Sequence, residues 1–131
     1  MKKILIVDDS ALIRQSLRKL LEGQHDWIIC GEAENGSDAI DEAQKLHPDV
    51  VVMDLVMPVM NGIDATRTLK AVMPGVPIVM YTTFADSHIK KLALAAGVHD
   101  LIDKSENAIA LIRSIRNLFA PESPPHPASV V

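Results

Sequence analysis

Four apolar residues in a row, Val50-Val51-Val52-Met53, end abruptly in Asp54. A strand with one wet face alternates polar and apolar residues, so a run without alternation predicts a strand covered on both faces, as in a parallel sheet. Ile4-Leu5-Ile6-Val7 has the same form and ends in Asp8-Asp9. Strands of this kind need long crossover connections, usually helices, and the rest of the chain supplies them.

Ser10 stands where a helix N-cap belongs, and Ile13, Leu17, Leu20 and Leu21 recur at helical spacing until Gly23. Trp27 to Ala33 is a weaker strand. Asn35-Gly36 predicts a turn, Ser37 a cap, and Ile40, Ala43 and Leu46 one face of a second helix closed by Pro48. After the central strand, Pro58 and Asn61-Gly62 are turn signals, with Gly62 freeing the backbone near Asp54. Ile63, Thr66, Leu69 and Met73 mark a third helix, ended by Pro74-Gly75. Pro77 opens a fourth strand, Ile78 to Tyr81, running into Thr82-Thr83. Asp86 or Ser87 starts a fourth helix, with Ile89, Leu92, Ala93 and Ala96 inward and Gly97 at its end. Val98 to Ile102 predicts a fifth strand leading to Asp103-Lys104, and Ile109, Ile112, Ile115 and Phe119 a last helix. Strand and helix alternate five times. That pattern predicts an α/β fold, a (βα)5 three-layer sandwich over a five-stranded parallel sheet with right-handed crossovers.

Composition narrows the function classes. A chain of 131 residues with 48% hydrophobic residues suits one domain with one core. The net charge of −4, without a basic stripe, argues against nucleic-acid binding by the domain itself. Asp8-Asp9 cuts the apolar run after Lys2-Lys3 too early for a signal peptide. No run approaches the roughly 18 apolar residues of a membrane span. The single Cys30 excludes an internal disulfide and a multi-cysteine metal site. The chain therefore reads as soluble and cytoplasmic. Four of the residues from Ala120 to Val131 are proline, so 1–119 is expected to be the domain and 120–131 a linker or disordered tail.

In a parallel sheet all carboxyl ends lie on one edge, where open α/β sheets bind their ligands. Asp8-Asp9, Asp54, Thr82 and Lys104 would meet there. Three carboxylates repel one another and call for a cation; Lys104 is one, and thiol-free oxygen ligands suit Mg²⁺. A carboxylate beside Mg²⁺, with a hydroxyl and an ammonium in reach, can attack phosphorus and form an acyl phosphate. The five histidines share no metal-ligand spacing, and Met53, Met57, Met60, Met73 and Met80 are expected to pack core and loops. Arg113 and Arg116 read as a solvated helix face that could also serve docking.

Ile-Leu-Ile-Val-Asp-Asp-Ser at 4–10, Met-Asp-Leu-Val-Met-Pro-Val-Met-Asn-Gly at 53–62, Tyr-Thr-Thr at 81–83 and Asp-Lys at 103–104 together resemble the receiver domain of bacterial two-component response regulators, over roughly residues 2 to 119. The resemblance implies the strand order 2-1-3-4-5. It implies that Asp54 accepts a phosphoryl group from a sensor histidine kinase or phosphotransfer protein. Asp9 and Asp54 would ligate Mg²⁺, with Asp8 helping through water and the Val56 carbonyl as a further ligand. Thr82 and Lys104 would bind the phosphoryl group and reshape the surface of helix four, strand five and helix five. That surface would regulate a downstream protein or a C-terminal DNA-binding output domain, and a phosphorylation-dependent homodimer is compatible with it. Leu101 stands where many members have Tyr or Phe, which leaves signalling to the loops. Ser105 follows the Lys where Pro is common, as in regulators with a helix-turn-helix output domain. No output domain follows in this chain, leaving a free-standing receiver or one separated from its output half. By the same resemblance, Val56 and Phe84 flank the path of the water that hydrolyses the acyl phosphate, and Thr83 adds bulk there. Neither Val56 nor Phe84 can take a proton from water, so a long-lived phosphoryl group is expected.

Two other classes fit worse. A haloacid-dehalogenase-type phosphatase wants a second Asp two residues after its nucleophile, and that position holds Val56. Without a base the chain is a switch rather than an enzyme, catalysing only its own phosphorylation and slow dephosphorylation. A nucleotide-binding domain wants a Gly-rich loop after its first strand, where Asp8-Asp9-Ser10 would repel phosphate.

Overall fold

A computed structural model describes residues 1–120. The strands are β1 (Lys2–Val7), β2 (Trp27–Ala33), β3 (Val50–Met53), β4 (Ile78–Thr82) and β5 (Asp100–Asp103). The helices are α1 (Ala11–Glu22), α2 (Gly36–Leu46), α3 (Gly62–Val72), α4 (Ser87–Ala96) and α5 (Ile109–Phe119). All strand pairings are parallel, and the order is β2-β1-β3-β4-β5. The expected α/β sandwich and strand order are both present. The predicted linker lies, apart from Ala120, outside the described residues.

Alternation within each central strand divides the core between the two sheet faces. Leu5, Val7, Val51, Met53, Ile78 and Met80 point toward α2, α3 and α4, where Ala39, Ala43, Ala65, Leu69, Ala93 and Ala96 receive them. Ile4, Ile6, Val50, Val52 and Val79 point the other way, toward Leu17 and Leu21 of α1 and Leu111 and Ile115 of α5. No residue of β3 exceeds 1% exposure. Each such side chain contributes about 2 kcal/mol of burial, which fixes β3 at the centre and leaves the residue after it nowhere to wander.

Several local expectations are corrected. The cap of α2 is Asn35, whose side chain accepts from the Asp38 amide; Ser37 lies inside the helix. Asn61 caps α3 in the same way, through the Asp64 amide. Both Asn-Gly pairs are thus helix starts, because an Asn side chain satisfies an orphan first-turn amide. β5 begins at Asp100, two residues later than its apolar pattern suggests, since Val98 is still in the connection from α4, donating its N–H to Ala93. Leu92 of α4 and Ile109 of α5 are exposed, whereas Leu111 is fully buried. Helical spacing gives a face, but its phase is set by contact with β4 and β5. The methionines pack as expected, Met53, Met57 and Met80 inside the core and Met60 and Met73 against it.

Candidate functional site

The sheet's hydrogen-bond ladder continues past the strand ends and positions the candidate residues by their backbones. The Asp8 amide donates to Ala33 O, the Asp54 amide to Val7 O and the Lys104 amide to Thr82 O. Asp8, Asp54 and Lys104 are therefore held as rigidly as strand residues, although none lies within a strand.

Their side chains converge. Lys104 Nζ is 2.7 Å from Asp8 Oδ2 and 3.2 Å from Asp54 Oδ2. The second Asp8 oxygen accepts the Ser10 amide at 2.9 Å, and the second Asp54 oxygen accepts the Leu55 amide at 2.8 Å. Asp9 completes the group: one carboxylate oxygen from each of Asp8, Asp9 and Asp54 lies within 4.8 Å of the others. Asp8 and Asp54 are buried, at 2% and 8% exposure, and Asp9 is exposed. Burial pushes the Asp54 carboxyl above the usual carboxylate range; the Lys104 charge opposes this and the Asp8 charge adds to it. Burial also works against the charge on Lys104, but its hydrogen bond to Asp8 and the two carboxylates beside it outweigh that and hold its pKa up.

Three carboxylates thus lie together in a half-closed place with an ammonium that pairs with two of them. The cluster is oxygen-only and negative, with one exposed and two buried acids, so a small hard divalent cation fits the donors. Mg²⁺ takes few protein ligands and keeps its waters, which the exposed side at Asp9 allows.

Not every expected residue joins the cluster. Thr82 is fully buried, and its hydroxyl accepts the Phe84 amide at 3.2 Å rather than hydrogen-bonding Asp54 or Lys104. The Val56 side chain is 53% exposed at the rim, and Phe84 is comparably open. Leu101 is buried in the core beneath α4, while Tyr81, on the opposite face of the sheet, places its ring centroid 5.9 Å from Lys104 Nζ.

Sequence reading missed Arg14. Its guanidinium donates to the Asp8 carbonyl at 2.7 Å and to Glu32 Oε1 at 2.9 Å, tying the β1 end to β2. The available signal was its place on the first full turn of α1, four residues after the Ser10 cap whose carbonyl its own amide bonds. Arg116 lies on the exposed face expected of it, and there it also pairs with Asp26 and lies over Trp27.

Comparison with known proteins bears on family and fold. The model of the response regulator receiver domain family matches residues 4–116. A protein-glutamate methylesterase/protein-glutamine glutaminase of Methanosarcina mazei is 42% identical, the match covering 92% of this chain and 36% of that protein. The transcriptional regulatory protein LnrK of Bacillus subtilis is 35% identical over 92% of this chain and 54% of its own length. The chain therefore spans roughly a third to a half of these relatives. Among solved structures, the response regulator domain of Thermotoga maritima CheB superposes with a TM-score of 0.86 at 29% identity, covering 93% of this chain and 99% of that one.

Proposed function

This chain belongs to the response regulator receiver domain family, whose members are phosphoacceptor switches of two-component signalling, and we propose that its own acceptor is Asp54, phosphorylated by a sensor histidine kinase or phosphotransfer protein. The observation that carries the reading is the sharing of Lys104 between Asp8 and Asp54 at 2.7 and 3.2 Å.

Asp54 is the nucleophile. One of its carboxylate oxygens attacks the phosphorus of a phosphohistidine, the P–O bond forms as the P–N bond breaks, and the imidazole leaves with the electron pair. Asp8, Asp9, Asp54 and the Val56 carbonyl would hold Mg²⁺. When bound, that ion neutralises charge on the phosphoryl oxygens and so favours in-line transfer. Lys104 already lies against Asp54 and can pass to an incoming phosphoryl oxygen without crossing the site. Thr82 would give up its bond with the Phe84 amide to donate its hydroxyl to the same group, pulling the segment that leads into α4. The surface of α4, β5 and α5 changes as a result and regulates a partner protein or an attached output domain. The domain would run from 1 to 119. It would act in the cytoplasm; among the described residues no helix is long and apolar enough to cross a membrane. Mg²⁺ would be its only cofactor.

The chain is a switch and not a hydrolase in this reading. Two residues after the acceptor stands the isopropyl group of Val56, with no proton to give or take. The test is incubation with acetyl phosphate and Mg²⁺ followed by intact-mass spectrometry. Wild type should gain one phosphoryl group and Asp54→Asn none; normal uptake by Asp54→Asn would remove Asp54 from its role.

A further inference from the structure

The connection from Asp54 to α3 contains one of the two non-glycine residues with positive φ in the described chain. Val59 has φ 69°, a left-handed conformation that a β-branched side chain adopts only under constraint. The Met60 amide closes a three-residue turn onto Pro58 O at 2.7 Å. Such a conformation is unfavourable and persists only where the surroundings over-determine it. The Val59 side chain cannot be what holds it, being 84% exposed.

Two glycines hold it. At the foot of the loop, Gly62 donates to Leu55 O at 2.8 Å, and a Cβ there would lie 2.2 Å from Asp54 O. At the tip, the Gly36 amide, from the first residue of α2, donates to Met60 O at 3.0 Å. A Cβ on Gly36 would stand 2.7 Å from Met60 O, 2.8 Å from Ala65 Cβ and 2.9 Å from Met60 Cγ. The helices on either side cannot retreat: α2 is pinned by fully buried Ala39 and Ala43, and α3 by fully buried Ala65 and Leu69. A Cβ added at Gly36 would therefore press on α3 through Ala65 and on the loop through Met60, and of the two the loop, with Val59 exposed, is the freer to yield.

We propose that Gly36 is a positioning residue for the phosphotransfer site: by bringing the start of α2 into backbone contact with Met60, it fixes the strained loop that presents Leu55 and Val56 beside Asp54. The inference rests on the reading of Asp54 and Val56 given above. It adds a control point on a different helix, whose effect reaches the site through Met60 and not through any contact with the acceptor.

The test uses Gly36→Ala in the full chain. Without metal, hydrogen exchange at the Met60 and Gly62 amides should rise at least tenfold while exchange in β3 and β4 stays unchanged. In a Mg²⁺ titration followed by amide shifts, affinity should fall about fivefold. Phosphoryl uptake from acetyl phosphate at saturating Mg²⁺ should stay within about twofold of wild type, because Asp54 and Lys104 are untouched. Met60→Ala, which removes the side-chain half of the same contact from a partly buried position, should move both readouts in the same direction should Gly36→Ala fold poorly. Gly31→Ala, in β2, crowds instead the flexible end of the Leu46 side chain at the other end of α2 and serves as the matched control, with loop exchange and Mg²⁺ affinity unchanged. Unaltered loop exchange in both Gly36→Ala and Met60→Ala overturns the proposal, as does an equal loss of Mg²⁺ affinity in Gly31→Ala. Failure of wild type itself to bind Mg²⁺ or take up phosphoryl would instead overturn the functional reading, and the exchange measurement still tests the clamp.

Discussion

The two ends of the sheet both carry charge, in opposite ways. At the carboxyl end, Asp8 and Asp54 are withdrawn from water, Asp9 lies beside them and Lys104 is the single ammonium among the three. At the amino end, Arg116 forks onto both oxygens of Asp26, at 2.7 and 3.3 Å, and its guanidinium carbon lies 4.4 Å from the Trp27 ring centroid. Lys2 lies over Phe119, whose ring meets Trp27 edge to face at 6.1 Å. There Arg116 and Asp26 are counterparts and both stay partly in water; the Arg116 hydrogen bond holds the Asp26 carboxyl below the usual carboxylate range. The amino end is an anchor for the end of α5. The carboxyl end is unbalanced and buried, an arrangement stability alone would not select and one that the proposed cation and phosphoryl group would complete.

Lys104→Ala puts the largest strain on this contrast. Removing the ammonium leaves two buried carboxylates unpaired, so stability without metal should fall by roughly 3 kcal/mol. Saturating Mg²⁺ should restore most of it, because the ion binds the folded site. Arg116→Ala should cost under about 1 kcal/mol, the scale of an exposed cation–π contact, and Mg²⁺ should not change that. Urea melts with and without Mg²⁺ read both. Equal losses, or rescue of neither variant, would erase the distinction between the two ends.

Asp9→Ala probes the open side of the cluster. Mg²⁺ affinity should drop at least tenfold, about 1.4 kcal/mol, as read by calorimetric titration, with little change in metal-free stability because Asp9 is exposed. Unchanged affinity would mean that Asp9 is not a ligand.

Smaller effects belong to the rim. Val56 and Phe84 are both about half exposed and neither can orient water, so Val56→Asn combined with Phe84→Glu should shorten the life of the phosphoryl group several-fold. Decay of the phosphorylated protein in Mg²⁺ after donor removal checks this; slower decay in the double variant would refute the water-exclusion argument.

Between the two ends, Glu32 provides the weakest and most pH-specific test. The hydrogen bond from Arg18 lowers its pKa, with burial opposing and Arg14 assisting. A folded-state pKa below the unfolded value contributes stability that is present above the unfolded value, about 4.3, and lost as pH falls through the folded one. Glu32→Gln should therefore cost less than about 1 kcal/mol at pH 7, and the two proteins should converge in stability once the pH has fallen below the lowered folded-state pKa. A gap that persists there would assign the effect to packing. Because Arg14 also bonds the Asp8 carbonyl, the variant additionally asks whether this pair supports the site from β2.

The amino-acid sequence by itself determined the element order, the position of β3 and the strand-end placement of Asp8, Asp9, Asp54, Thr82 and Lys104. Unbroken apolar runs and 3.6-residue spacing are local signals, and a parallel sheet then places every strand's carboxyl end on one edge. Tertiary structure alone decided what depends on distances between segments remote in sequence. It chose Asp8 as the closer partner of Lys104, buried Leu111 in place of Ile109 and stacked Arg116 on Trp27. The two Asn-Gly pairs show the reason most clearly. As dipeptides they read as turns, yet both start helices, and the lack of a side chain at Gly36 and Gly62 matters only because Met60 and Asp54 arrive within 3 Å of where a Cβ would stand.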